Sequence, residues 1–341
     1  MMKINKILLL FFLFLVLTLS VNAQEEQQEK KDIKVKPQPE FIIDDKNSQI
    51  DEKTKSLLEK IGFGKFVDET STKEILSFFK TFEKTMQKGD LDKLKTFYSD
   101  DFINNDGFNK ETYFKLITLV ADLYDDAKYS TEMVSVSRNG DFACAIVNET
   151  ATAQTSDQYK QINGTGIVRS DSRYIYYLTK LSGKWKISAI DTITEKTSLL
   201  YGDAKLLNYD IKAPAKVKEG SQYSISFTVS QIPDNSLLIA SLTNDPIVYP
   251  QQNKPEVFRT FKNKETTLER IVTANKDHYN EYATASLGIT KAGIAKGDDI
   301  NMIKIYMTGM AFVMARVNVD PVIQHKIEQI EKKAEDGKVQ E

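Results

Sequence analysis

The chain has 341 residues, 46 Lys and Arg against 48 Asp and Glu, two His and one Cys. Near-neutral charge with interspersed signs leaves no electrostatic footprint for nucleic acid or an anionic membrane. A lone cysteine, Cys144, excludes an internal disulfide, so stability must come from packed cores, and this length divides most readily into two domains.

Residues 1–23 read as a cleavable secretory signal peptide. Lys3 and Lys6 give a basic start, Ile7 to Leu19 is apolar, and Val21-Asn22-Ala23 places small residues before a cut after Ala23. At about 1.5 Å per residue the apolar run covers about 20 Å, short of a bilayer core of about 30 Å. No Cys near the cut offers a lipid attachment point, and no later apolar run is long enough to span. The mature chain, of net charge near −4 once Lys3 and Lys6 are gone, is expected to be secreted or periplasmic, with no transmembrane segment. Residues 24–48 are polar and proline-spaced, a disordered leader. Ile50, Leu57, Leu58 and Ile61 mark a short helical linker over 49–70.

The domain expected over 71–203 opens with a capping box, Ser71-x-x-Glu74, and an apolar stripe of Ile75, Phe79, Phe82 and Met86. Gly89 stops this helix, and Asp90 caps a second carrying Leu91, Leu94 and Phe97. Asn104-Asn105-Asp106-Gly107 reads as a turn, and Asn109 caps a third helix with Tyr113, Ile117, Val120 and Tyr124. The apolar period then changes to two, and strands rich in β-branched and aromatic residues follow, ending in a hairpin closed by Ser182-Gly183. From about Leu206 the helical signals vanish. Short strands separated by Asn, Asp, Gly and Pro predict an all-β sandwich over 204–321, before a charged tail at 322–341.

Three helices, the second opened by "KGDLDKLKTFYSDDF", and strands ending in "GKWKISAID" resemble the nuclear-transport-factor-2-like superfamily over about 71–200. This is the α+β cone of ketosteroid isomerases and polyketide cyclases. The resemblance implies a bent antiparallel sheet folded around three helices, with a pocket in the cone. It implies no single activity, since that superfamily includes enzymes, ligand binders and assembly modules. Residues 206–320 resemble an immunoglobulin-like sandwich more weakly. They lack its Cys pair and buried Trp, and Tyr282 is their candidate tyrosine-corner residue.

A two-residue turn at Ser182-Gly183 fixes a register in which Leu178 faces Ile187, Tyr176 faces Ala189 and Tyr174 faces Asp191. Trp185, Ile187, Ala189, Asp191 and Leu178 then share the face toward the helices. With Phe79, Phe82 and Tyr176, the residues Leu178, Trp185 and Ile187 are expected to line the cone. Asp191 would sit among apolar and phenolic neighbours, a candidate general acid or base with Tyr174 as partner. Its plainer role is a solvated or turn-capping acid at a strand end. Glu149 shares a face with Ala143, Ala145, Val147 and Ala151, so it is a further candidate pointing inward, against the plainer expectation of a solvent-facing charge. The domain has no His, which removes a His-assisted mechanism of the dehydratase kind. Cys144 reads as a small core residue.

No metal or cofactor is implied. His278 and His325 stand far apart without partners, and Met302, Met307, Met310 and Met314 read as core filler. On the opposite face of the hairpin, Ile175, Tyr177 and Ile190 mark a covered surface, for a homodimer, an envelope partner or the second domain. Three functions fit. The first is a non-enzymatic exported protein whose cone binds a small apolar ligand or assembles, with the sandwich binding a partner. The second is an isomerase or lyase using Asp191 and Tyr174. The third is a structural or adhesive envelope component.

Overall fold

A computed structural model describes residues 69–321 apart from 157, 160–161, 163, 233–234, 252–255, 262–265 and 297–300. The signal peptide with its cut at Ala23, the polar leader, nearly all of the helical linker and the tail with His325 lie outside the described residues.

Helix α1 (Glu69–Lys88) begins before Ser71, so Ser71 lies within the first turn and is not its cap. Ile75, Phe79, Phe82 and Met86 are buried along one stripe, as their spacing requires. Gly89, at φ 71°, takes the left-handed conformation that ends the helix. Asp90 accepts the Lys93 N–H at 3.0 Å and starts α2 (Leu91–Lys95). That helix is shorter than its pattern suggests. Phe97 lies beyond it, and Tyr98–Asn104 forms β1, a strand hidden in the sequence by Asp100 and Asp101. Asn109 accepts the Thr112 N–H at 3.0 Å and caps α3 (Lys110–Ala121). Tyr113, Ile117 and Val120 are buried on it, whereas Tyr124 opens the next strand.

Strands β2 (Tyr124–Asn139), β3 (Phe142–Thr155), β4 (Ile167–Leu181) and β5 (Lys184–Gly202) form an antiparallel meander, with β1 parallel to β5. The sheet and the three helices enclose one core, in which Phe79 meets Tyr176 edge to face at 5.2 Å. This is the expected α+β cone.

A short 3-10 turn (Asp203–Leu206) leads to β6 (Asn208–Lys212), β7 (Lys216–Lys218), β8 (Gln222–Ser230), β9 (Ser236–Pro246), β10 (Arg259–Thr260), β11 (Thr267–Thr273), β12 (Glu281–Lys296) and β13 (Asn301–Asp320). Strands β11, β8 and β6 make a three-stranded sheet. The other layer is the cone's own sheet continued, in the order β10-β9-β12-β13-β5-β4-β3-β2. Ile225, Phe227 and Val229 of β8 pack against Ala285, Leu287 and Val313 to form the second core. Two stacked β layers are therefore present, one of them shared with the cone. Tyr282 is not a tyrosine corner: its hydroxyl donates to the Glu195 carboxyl at 2.9 Å.

The shared ladder pairs β13 with β5 from Gly309↔Gly202 to Ala315↔Lys196. Two glycines meet at its end because the backbones are too close for side chains. A Cβ on Gly202 would lie 2.1 Å from the Thr308 carbonyl oxygen, and one on Gly309 would lie 2.6 Å from the Ala204 nitrogen.

Trp185 is 8 % exposed at the rim of the cone core. Trp185→Ala is expected to destabilise the protein by about 3–5 kcal/mol, read by urea denaturation. A loss below about 1 kcal/mol would place the indole outside the core.

Candidate functional site

The β4–β5 hairpin decides which side chains enter the cone. Its register follows the turn only as far as Leu178↔Ile187. There β5 carries one extra residue, and Tyr177 faces Ala189, Tyr176 faces Ile190 and Ile175 faces Asp191. A second bulge follows, after which Arg173 faces Thr194. Each bulge moves the inward face of β5 by one residue, so the buried positions run Trp185, Ile187, then Ile190, Thr192, then Glu195 and Thr197.

Two expectations are corrected by this shift, those for Asp191 and Ile190, and a third, for Cys144, by the plain alternation of β3. Asp191 does not face Tyr174, whose partner is Thr192; Asp191 lies on the outer face, where its Oδ2 accepts the Tyr177 hydroxyl at 3.0 Å. Ile190 is not on the outer surface but 1 % exposed in the core. Cys144, a register partner of Tyr177, is half-buried on the outer face and not in the core. Ile175 and Tyr177 keep their outward placement. Phe79, Phe82, Tyr176, Leu178, Trp185 and Ile187 all lie in the core.

Glu149 is the candidate that the structure turns inward. It sits mid-strand on β3, between Thr131 of β2 and Ser172 of β4, and is 3 % exposed. The Tyr176 hydroxyl donates to its Oε1 at 2.5 Å. Burial pushes this carboxyl up to about 7, against the pull of the Tyr129 and Tyr176 phenols and with a further push from Glu83. Tyr98, Tyr113, Tyr129, Tyr174 and Tyr176 are all buried in the same core, and burial raises each phenol. The hydroxyls of Tyr98, Tyr113 and Tyr129 have no protein partner in hydrogen-bonding geometry. Tyr98 and Tyr113 stand ring to ring at 5.6 Å, close enough to influence each other's ionisation.

The chemistry of this cluster is specific. A carboxyl near half-ionisation at neutral pH can take or give a proton, and unpartnered phenols can donate to a carbonyl or hydroxyl oxygen. Tyr98 and Tyr129 were not legible as site residues. The one available signal was composition, since Tyr supplies inward positions that Phe would fill without a donor.

The other features hold no comparable arrangement. Trp185 donates from Nε1 to Glu74 Oε2 at 3.1 Å, and Arg138 and Lys180 lie over its ring at 5.1 and 5.5 Å. The Glu74 carboxyl is held below its usual range, chiefly by the hydrogen bond from Lys180. This is a rim clamp. His278 is exposed at φ 61° and contacts Glu219. Met310 and Met314 are buried, and Met307 packs on the cone core. A surface groove of about 790 Å³ along α3 includes Lys110 and Lys115, but these pair with Asp100 and Glu111 at 2.8 Å each. Among the described residues, no group of three or more His, Cys, Asp and Glu could hold a metal ion, and no helix is long and apolar enough to cross a membrane.

The sequence matches no protein-family model and no curated protein. Among solved structures, this chain is similar to a scytalone dehydratase-like protein of Novosphingobium aromaticivorans, at 12% identity over 37% of this chain and 84% of that one, with a TM-score of 0.32. A type 2 hexachlorocyclohexane dehydrochlorinase is similar at 14% identity over 36% of this chain and 84% of its own, with a TM-score of 0.30. A nuclear-transport-factor-2-like protein of Pseudomonas putida is similar at 14% identity over 37% and 87%, with a TM-score of 0.27. The cone of residues 69–202, three helices against an antiparallel meander, is the α+β architecture that the resemblance to nuclear-transport-factor-2-like proteins implies. The activities of those proteins remain theirs.

Two substitutions separate the inner acid from the outer one. Glu149 is neutral in both folded and unfolded chains below about pH 4.5, and the folded chain keeps its proton up to about pH 7. Stability should therefore fall as pH rises through that window, by roughly 3 kcal/mol. Thermal unfolding across pH 4–8 is expected to show a shallower decline for Glu149→Gln than for the native chain. Asp191→Asn, which touches one phenol on the outer face, is expected to change stability by less than about 1 kcal/mol in the same measurement.

Proposed function

We propose that this is an exported protein whose cone binds a small, largely apolar molecule bearing a hydroxyl or carbonyl oxygen. The observation that carries this reading is the gathering of Glu149 with the Tyr98, Tyr113 and Tyr129 hydroxyls: Tyr129 stands beside Glu149 and Tyr98 beside Tyr113, yet none of the three makes a well-formed hydrogen bond, although each residue is at most 5 % exposed. A buried polar group without a well-formed hydrogen bond costs about 1–3 kcal/mol, so several in one core favour a site that a bound oxygen completes. The aromatic side chains around these groups suit a compact cyclic molecule. The strands after Gly202–Leu206, as a second domain, serve a protein partner, and the outer sheet face with Ile175 and Tyr177 is a homodimer or envelope contact.

A second reading is favoured by the Glu149 carboxyl lying near 7. It makes the cone an acid–base enzyme of isomerase or lyase type, with Glu149 moving the proton and the phenols holding the developing oxyanion.

Native mass spectrometry of the exported chain, and a thermal-shift screen with phenols and cyclic ketones, test both readings. Binding is expected to raise Tm and to weaken by about tenfold or more in a Tyr98→Phe, Tyr113→Phe double variant, with each lost hydrogen bond worth about 1 kcal/mol. If no compound shifts Tm and the double variant is simply more stable, the phenols are filler and the binding reading fails. For an enzyme, Glu149→Gln should remove about 100-fold or more of turnover while binding persists.

A further inference from the structure

A buried ionic cluster lies outside the cone core, where β12 and β13 meet the turn after β1. The Arg316 side chain is 1 % exposed and that of Asp106 is 5 % exposed. Arg316 Nη1 donates to Asp106 Oδ2 at 3.2 Å, and Nη2 donates to Oδ1. Asp106 also accepts from Asn280 Nδ2 at 2.9 Å and from Asn104 Nδ2 at 3.3 Å, so its carboxylate is saturated. Arg316 also donates to Asn105 Oδ1 at 3.2 Å and, from Nε, to Asn318 Oδ1 at 2.9 Å. Asn280 Oδ1 in turn accepts the Val319 N–H at 3.1 Å. One carboxylate and one guanidinium thus tie the cone's turn to both long strands of the other half.

A second carboxyl, Glu195 of β5, shares this cluster and is 4 % exposed. Four elements pack against it: Arg316 from β13, Tyr282 from β12, Asp106 from the turn, and Ser172 and Tyr174 from β4. The Tyr282 hydroxyl donates to Glu195 Oε1 at 2.9 Å. Arg316 is already matched by the forked pair with Asp106, so the cluster is electroneutral only while Glu195 carries its proton. A surplus buried charge is costly, because water is excluded and the available cation is engaged.

We propose that this cluster is a proton-controlled latch between the two halves of the protein. With Glu195 neutral, it closes β12 and β13 onto the turn after β1, and ionisation of Glu195, its proton passing to solvent, loosens the contact. The latch is independent of what the cone binds. Burial pushes the Glu195 carboxyl up to about 8, with Arg316 and Tyr282 pulling it down and Asp106 pushing it further up. The opened state gives up this proton at lower pH than the closed state does, so the latch weakens as pH rises toward and through about 8.

Hydrogen exchange by mass spectrometry on the exported full chain, in steps from pH 6 to pH 9 and corrected for intrinsic rates, reads the latch directly. Peptides covering 104–109, 280–284 and 314–319 are expected to lose protection by about tenfold or more at pH 9, with α1 unchanged. Glu195→Gln should keep the same peptides protected at both pH values. Tyr282→Phe removes a donor that favours the carboxylate, so it should move the midpoint to higher pH. A purely structural cluster would leave that midpoint in place. Equal protection of the native chain at the two pH values, an unchanged pH response in Glu195→Gln, or an unmoved midpoint in Tyr282→Phe would each overturn the latch, and the last stands even if the Gln variant does not fold.

Discussion

Strand β5 belongs to both cores of this protein, and its inward face must suit each of them in turn. Its first half pairs with β1 and β4, and its last seven residues pair with β4 and β13. A strand 19 residues long would twist its side chains out of step with such different neighbours. Two bulges solve this by advancing the inward face one residue each time. They send Ile190 and Thr192 into the cone and Glu195 to the junction, and they turn Asp191 out to solvent.

The interior that results holds carboxyls as well as apolar side chains. Glu149 and Glu195 are both buried carboxyls, and each meets a tyrosine hydroxyl rather than a lysine at hydrogen-bond distance. A phenol satisfies a carboxyl without adding a charge that must itself be desolvated, and its ring fills the volume that a phenylalanine would. The two acids differ in company. Glu149 stands among phenols with Glu83 as its charged neighbour, whereas Glu195 lies beside a cation already committed to Asp106. Tyr174 stands between them and feels both, its ionisation opposed by burial first and then by Glu195 and Glu149.

The halves are joined by backbone and by side chains at separate places. The β5–β13 ladder makes the sheet continuous, with Gly202 and Gly309 allowing the closest approach. Some 100 residues away in sequence, the Asn104–Gly107 turn finds its cation on β13 and its amide donor at Asn280, just before β12. The cone supplies a carboxylate there and the sandwich strands supply its counter-charge, so the buried polar groups at the junction are satisfied only with both halves in place.

Local chemistry was enough to read several elements from the sequence. Asp90 and Asn109 are caps because their side chains answer helix N–H groups a few residues away, and the stripe on α1 follows from 3.6 residues per turn. The hairpin turn at Ser182-Gly183 and the inward placement of Trp185, Ile187 and Leu178 are equally local. What the sequence left open lies beyond the range of such rules. Strand β1 exists because β5 offers it a partner, although Asp100 and Asp101 mask its alternation. The bulges arise where β5 must serve two cores, and one residue of slip exchanges the faces of Asp191 and Ile190. The gathering of Glu149 with Tyr98, Tyr113, Tyr129 and Tyr176, from five separate elements, is likewise a property of tertiary packing alone. Side-chain identity is written locally, but the distance between side chains on different elements is set only when the sheet closes around the helices.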